Sequence, residues 1–252
     1  MLSAPSLFMA VANATAAVVQ TAPPYITYHV HATFRFDGEA TADRTVTVRT
    51  DDGVSVVHDD LTGKDELRSP FPASPAFDAL AEFTVRAEVT TGPGGARAGD
   101  MRISNVQPLH YEAVASHADA VAHGIKGYVV TVAADATPAL GHLHFERNDT
   151  MHDAKKWLRD VWYDPATMLP TRVVWNAVND VTLDSQYQIV AGHWLLRRIA
   201  ITGIYHGPLW VARASVAVTG TYDGYTFSSV APDPRLLPSP APSPLPLASP
   251  SP

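Results

Sequence analysis

The chain has 252 residues, 46% hydrophobic and 17% charged, with a formal net charge of -7 and no cysteine. That length suits one large domain or two small ones around a sizeable core, and the acidic balance, with no basic patch among aromatics, excludes nucleic acid and weakens attraction to an anionic membrane surface. Without cysteine, disulfides, thiolate-bound zinc, thiol catalysis and an N-terminal lipidated cysteine are excluded as well.

The opening "MLSAPSLFMAVANATAAVVQ" reads as a helix rather than an export signal, because it lacks a basic start and its run "LFMAV" is short for a signal core. Ser3 can cap, Pro5 is tolerated in the first turn, and Leu7, Val11, Ala14 and Val18 recur at helical spacing until "TAPP" stops the helix. No stretch approaches the roughly 18 apolar residues of a membrane-spanning helix.

Strand patterns dominate from there. "YITYHVHATFRF" (25–36) alternates almost without a slip, "TVTVRT" (45–50) supplies the return arm of a hairpin, and "GVSVVHD" (53–59) follows the turn signal "DDG". Residues 61–82 read as a long proline-containing excursion that ends in a short helical piece. "FTVRAEV" (83–89) resumes strand, and "TTGPGGARAGD" (90–100) reads as a flexible loop without the Gly-Lys-Ser/Thr ending of a phosphate loop. "PLHYEAVAS", "GYVVTVAAD" and "GHLHFERN" continue the strands, with "HADAVAHGI" as a turn or helical scrap. From residue 157, "WLRDVWYD", "TRVVWNAV", "SQYQIV", "WLLRRIAITGIYHG", "LWVARASVAVTG" and "YTFSSV" read as consecutive antiparallel strands. The Pro/Ser/Ala-rich residues 231–252 lack apolar periodicity, so the expected division is a folded domain over 1–230 and a disordered extension over 231–252.

In a strand, residues two apart share a face. Tyr28, Val30, Phe34 and Phe36 therefore stand on one side of the first strand, and His29, His31 and Arg35 on the other. Likewise His142, His144 and Glu146 stand opposite Leu143 and Phe145. Two His-x-His pairs suggest metal ligands, but a site needs a third ligand and a sheltered setting. The expectation is a solvated polar face with no metal and no cofactor. Asp164 before Pro165 reads as a turn starter rather than a catalytic acid. No Gly-x-Ser-x-Gly elbow, His-Glu-x-x-His helix or dinucleotide glycine fingerprint occurs, so no catalytic residue is assigned.

The segment "LRDVWYDPATMLPTRVVW" resembles the tryptophan–x–Asp-Pro-x-Thr–x–x–Pro hairpin of the LolA-like proteins, the periplasmic carriers of outer-membrane lipoproteins. "HYEAVASHADAVAHGIKGYVVTV" upstream and "SQYQIVAGHWLLRRIAI" downstream resemble the strands on either side of it. In element order the resemblance covers residues 4–230, and in motif detail 157–200. It implies a mainly β (α+β) fold, a strongly curved antiparallel sheet forming an unclosed half-barrel. The N-terminal helix and a short middle helix would cover the concave face. The carriers' lid-locking arginine finds no local match, although Arg35 stands on a suitable strand.

The function so implied is non-enzymatic binding or carriage of a lipid, an acyl chain or a lipidated protein in the bacterial cell envelope, by a periplasmic or otherwise exported monomer. The apolar faces that would line the site are Tyr28, Val30, Phe34 and Phe36; Tyr128, Val130 and Val132; and Leu195, Ile199 and Ile201, with Leu7 and Val11 on the cover helix. Two readings compete with it. One is a metal-dependent small-molecule enzyme using the His-x-His pairs, and the other a β-scaffold that docks an envelope protein partner.

Overall fold

The computed structural model describes residues 2–19, 21, 23–35, 39–50, 54–68, 83–90, 96–103, 127–148, 156–177, 180–206 and 213–237. Helix α1 (Ala4–Val19) starts where expected: Ser3 Oγ accepts from the Ser6 backbone N–H at 3.4 Å, and its carbonyl accepts from Leu7 N–H at 2.9 Å. The Thr21 hydroxyl closes the other end on the Val18 carbonyl at 2.8 Å. Among the described residues α1 is the one α-helix, and none is long and apolar enough to cross a membrane. The expected short middle helix lies in 69–82, outside the described residues, as do Phe36, "PLHYEAVAS" and "HADAVAHGI".

Thirteen strands are described: β1 (Tyr25–Arg35), β2 (Glu39–Arg49), β3 (Ser55–Asp59), β4 (Lys64–Arg68), β5 (Phe83–Thr90), β6 (Ala96–Ile103), β7 (Tyr128–Val132), β8 (Gly141–Arg147), β9 (Lys156–Tyr163), β10 (Pro170–Ala177), β11 (Val181–Val190), β12 (His193–His206) and β13 (Arg213–Ser228). Eleven form one antiparallel sheet in the order β4-β3-β2-β1-β13-β12-β11-β10-β9-β8-β7, and β5 and β6 form a second, two-stranded sheet. The sheet does not close, so the fold is mainly β and an unclosed half-barrel. The first and last strands of the chain, β1 and β13, meet in its middle.

Three segments depart from the sequence expectation. β4 lies inside the supposed excursion: Asp59 Oδ1 accepts from the N–H groups of Leu61 (3.1 Å) and Thr62 (2.9 Å), Gly63 takes φ 66°, and "KDELR" pairs back on β3. Its charges suit the exposed edge of a sheet and leave no apolar alternation to read. β6 occupies the C-terminal half of the supposed loop 90–100. The last two expected strands fuse into β13, which carries an extra residue at Gly224 (φ 62°) and Tyr225 opposite Tyr28.

The supposed extension also begins with structure. After β13 the chain crosses the outer face of β1–β4, and a single 3-10 turn, Pro234–Leu236, buries Leu236 completely against Tyr25 and Val56. Arg49 Nη1 donates to the Leu236 carbonyl at 2.6 Å, and Arg235 Nη2 donates to Asp65 Oδ2 at 2.6 Å.

Candidate functional site

The inner face of the half-barrel, the side on which α1 packs, carries two apolar clusters. Beneath the helix, Phe8 and Val11 meet Leu143, Phe145, Leu158, Val161, Tyr163 and Val173, with the Phe8 and Phe145 rings edge to face at 4.8 Å. Leu158, Val161 and Tyr163 reach the same face only because β9 bulges at Arg159, which has no opposite residue on β10. The second cluster centres on β1, where Ile26, Tyr28, Val30, Ala32 and Phe34 are all buried and pack with residues of β2, β3, β11, β12 and β13. Trp175 and Tyr187 pack against both clusters and join them.

Tyr28, Val30, Phe34, Leu195, Ile199 and Ile201 fall in the second cluster. Tyr128 and Val130 pack in the first, with Leu7 and Val11 of the helix. Val132 is 51% exposed on β7, the last strand of the sheet, and is not among the residues packed in either cluster.

Leu195 does not share the face of Ile199 and Ile201. An extra residue at Arg197 shifts the parity of β12, so Leu196, opposite Tyr187, joins Ile199 and Ile201, while Leu195 stands opposite Gln188. Leu195 is nonetheless buried within the second cluster, near the end of the β12–β13 pairing at Arg198 and Thr221. Side chains seal this seam: Gln188 Nε2 donates to the carbonyls of Leu196 (3.4 Å) and Tyr222 (3.3 Å), and the Tyr225 hydroxyl donates to Leu196 O at 2.7 Å. Tyr28, Tyr222 and Tyr225 cluster here, with Tyr28 5.5 Å from Tyr225 and 6.1 Å from Tyr222 between ring centroids. Burial pushes the Tyr222 and Tyr225 hydroxyls well above their ordinary range, so these two side chains are uncharged at neutral pH. Alternation alone misses Leu196, Tyr222 and Tyr225, since bulges break it beside each of them.

Arginine stands on both faces. Arg35 points outward to Glu39 at 2.8 Å, whereas Arg44, opposite Val30, lies on the inner face 3.8 Å from Asp59.

The histidines occupy the outer face as expected, but not as a uniformly solvated set. His142 is buried, stacked on Trp162 with centroids 4.1 Å apart, and hydrogen-bonded to Asp135 and, at 3.1 Å, to Asp160. Asp160 also takes His144 Nδ1 and Arg159 Nε, each at 2.7 Å. Arg172 lies over Trp162 at 4.4 Å and donates twice to Asp184. On the other half of the sheet His31 Nδ1 pairs with Asp43 at 2.7 Å, and His29 Nε2 with Asp60 at 3.1 Å. Asp164 acts within its turn, accepting from Ala166 N–H at 2.9 Å and from the Thr167 hydroxyl at 3.0 Å.

No family model matches the chain, and no curated protein does. Among solved structures, similarity extends over nearly the whole chain. One is a DUF1329 family protein from Desulfovibrio piger, 11% identical, covering 94% of this chain and 98% of its own at a TM-score of 0.44. A LolA superfamily protein from Nitrosomonas europaea is 13% identical over 92% and 96%, at 0.40. A putative outer membrane lipoprotein-sorting protein domain from Vibrio parahaemolyticus is 14% identical over 87% and 91%, at 0.42. The structural neighbours are LolA superfamily and DUF1329 proteins.

Proposed function

We propose that the protein binds an apolar chain, either a lipid or the acyl chain of a lipidated protein, on the inner face of its half-barrel and carries it without chemical change. The observation that supports this reading is the continuity of the inner apolar surface. It runs from Phe145 beneath α1, through Trp175 and Tyr187, to Tyr28, Phe34 and Val57. A sheet with one apolar face must cover it. Among the described residues α1 packs against the part built from β7 to β12. The β1 stripe is already buried in the chain itself, so a ligand chain would enter by parting the apolar packing around Tyr28, Phe34 and Val57.

Each buried methylene contributes about 0.8 kcal/mol, so an acyl chain of ordinary length reaches roughly micromolar affinity after ordering costs. Binding should then strengthen with chain length and depend weakly on salt. Displacement of an environment-sensitive dye by a fatty-acid series tests this. Phe34→Asp, shown to be folded by circular dichroism, should lose the signal because a carboxylate in that wall opposes an apolar chain. A flat response across chain lengths would remove the reading.

An envelope location belongs to the same proposal and is supported by the likeness of residues 157–200 to the carriers' hairpin. Fractionation of cells expressing the full-length native gene checks it, and recovery in the cytosol would count against it.

A further inference from the structure

Sheet register assembles a row of side chains on the outer face that sequence spacing does not reveal. Across five adjacent strands Asp223, His29, Thr45, His58 and Asp65 stand opposite one another in turn, from β13 through β1, β2 and β3 to β4. Asp60, in the turn after β3, sits over the middle of this row, held by its backbone N–H on the Asp43 carbonyl at 2.9 Å. Its carboxylate lies between the two imidazoles: Oδ2 is 3.1 Å from His29 Nε2, and Oδ1 is 3.8 Å from His58 Nε2. The Thr45 hydroxyl donates to it at 3.3 Å. Each imidazole turns its other nitrogen to a further carboxylate, His58 Nδ1 to Asp65 at 2.7 Å and His29 Nδ1 towards Asp223 at 3.8 Å.

We propose that His29, Asp60 and His58 form a binding site for a first-row divalent metal ion of the zinc type, with Asp65 and Asp223 orienting the two histidines. Two imidazole Nε2 atoms and one carboxylate suit zinc and its neighbours in that row. Metal-bound histidines characteristically give their second nitrogen to a carboxylate, which fixes the ring and raises its basicity. Charge favours the same occupant: with neutral imidazoles the row holds three carboxylates, and Arg235 offsets only the outermost of them.

No three such donors among the described residues already converge on one point. Binding requires these side chains to turn: donors around a tetrahedral zinc stand roughly 3.3–3.4 Å apart, from bonds of about 2.0–2.1 Å, whereas His29 Nε2 lies 3.1 Å from Asp60 Oδ2 and His58 Nε2 lies 3.8 Å from the other oxygen, Oδ1. The ion would replace the hydrogen bond between His29 and Asp60 by bonds to both. Side-chain exposures of 39%, 31% and 45% for His29, Asp60 and His58 leave a path from solvent and room for water as a fourth ligand. The unit is thus not the His-x-His pair of the first strand. His31 is committed to Asp43, and His29 acts with a histidine two strands away.

The test uses full-length protein without a histidine tag, stripped with chelator and titrated with zinc by calorimetry and with cobalt by visible absorption. One ion per chain and the intense bands of low-coordinate cobalt are expected. His29→Gln, His58→Gln and Asp60→Asn should each weaken zinc binding by tenfold or more. Asp65→Asn should weaken it by about 10-fold or more at constant stoichiometry. His31→Gln and His144→Gln should leave it unchanged. Circular dichroism confirms that each variant is folded. Absence of uptake, or uptake reduced equally by the His31 and His144 controls, would overturn the assignment in favour of adventitious surface binding.

Discussion

The ring of Tyr163 fills the space above the α-carbon of its cross-strand partner Gly141, so that a β-carbon at 141 would come within 2.1 Å of Tyr163 Cζ. The glycine is fixed by close approach of an aromatic side chain rather than by a turn. Gly141→Ala should destabilise the protein by about 1–3 kcal/mol through overpacking. In a Tyr163→Ala background the same substitution should cost little, which a double-mutant cycle in urea measures. Equal costs in both backgrounds would show that the ring is not what excludes the methyl group.

Asp160 predicts a signature in acid. Burial pushes its carboxyl upward, but hydrogen bonds from His144, Arg159 and His142 outweigh that and hold it below the ordinary value of 3.8. A carboxyl depressed in the folded state contributes stability that is complete above its unfolded value and is lost as pH falls through the folded one. Asp160→Asn should therefore cost about 1–3 kcal/mol near neutrality, by stripping charge-assisted bonds from His144, Arg159 and the buried His142. The gap from wild type should hold steady down to about pH 4 and narrow below it. Denaturant titrations at a series of pH values give the comparison. A gap independent of pH down to the acid limit would mean the carboxylate is not selectively stabilised in the folded state.

Alternation made the inner stripe of β1 legible in full from Ile26 to Phe34, because that strand carries no extra residue of its own. It failed on β12, where the bulge at Arg197 exchanges Leu195 for Leu196, and it passed over β4, whose charged residues have no buried side to betray them. Tyr222 and Tyr225 were hidden by the irregularity at Gly224. The hairpin at Asp164 was readable because its chemistry is local: side chain and accepted N–H are two residues apart. The row from Asp223 to Asp65 was not, since it depends on the pairing of strands distant in sequence, and no residue in it is unusual alone. Pro/Ser/Ala composition likewise concealed the buried Leu236, a single apolar side chain with no periodicity around it.

The turn between β11 and β12 offers a stabilising change. Ala191 and Gly192 connect the paired residues Val190 and His193, with φ of 49° and 85°. Two consecutive positive values define the two-residue hairpin that favours Asn-Gly, and alanine tolerates that region poorly. Ala191 is exposed, so a larger side chain meets no packing penalty. Ala191→Asn should raise stability by about 0.5–1 kcal/mol, and Ala191→Val should lower it by a similar amount. Thermal unfolding of the two variants gives opposite shifts if the backbone conformation is the cause, and shifts of one sign if it is not.

Residues 231–237 should be part of the folded body, and the cost of loosening them should depend on which contact is cut. Leu236 is fully buried between Tyr25 of β1 and Val56 of β3, on the face opposite the apolar stripe. Its replacement by alanine should cost about 2 kcal/mol, at the low end for a buried leucine because this small satellite cluster can collapse around the gap. Arg235 holds Asp65 at 2.6 Å in an exposed pair, so Arg235→Ala should cost under about 1 kcal/mol. The distinguishing measurement is hydrogen exchange along β4, which among the described strands pairs with β3 alone and is tied down on its outer side by Arg235. Leu236→Ala should speed exchange in Lys64–Arg68 and leave β8–β11 unaffected, because opening the crossing segment frees the edge without touching the core beneath α1. Exchange in β4 unchanged, together with wild-type unfolding, would show that the segment lies on the sheet without supporting it.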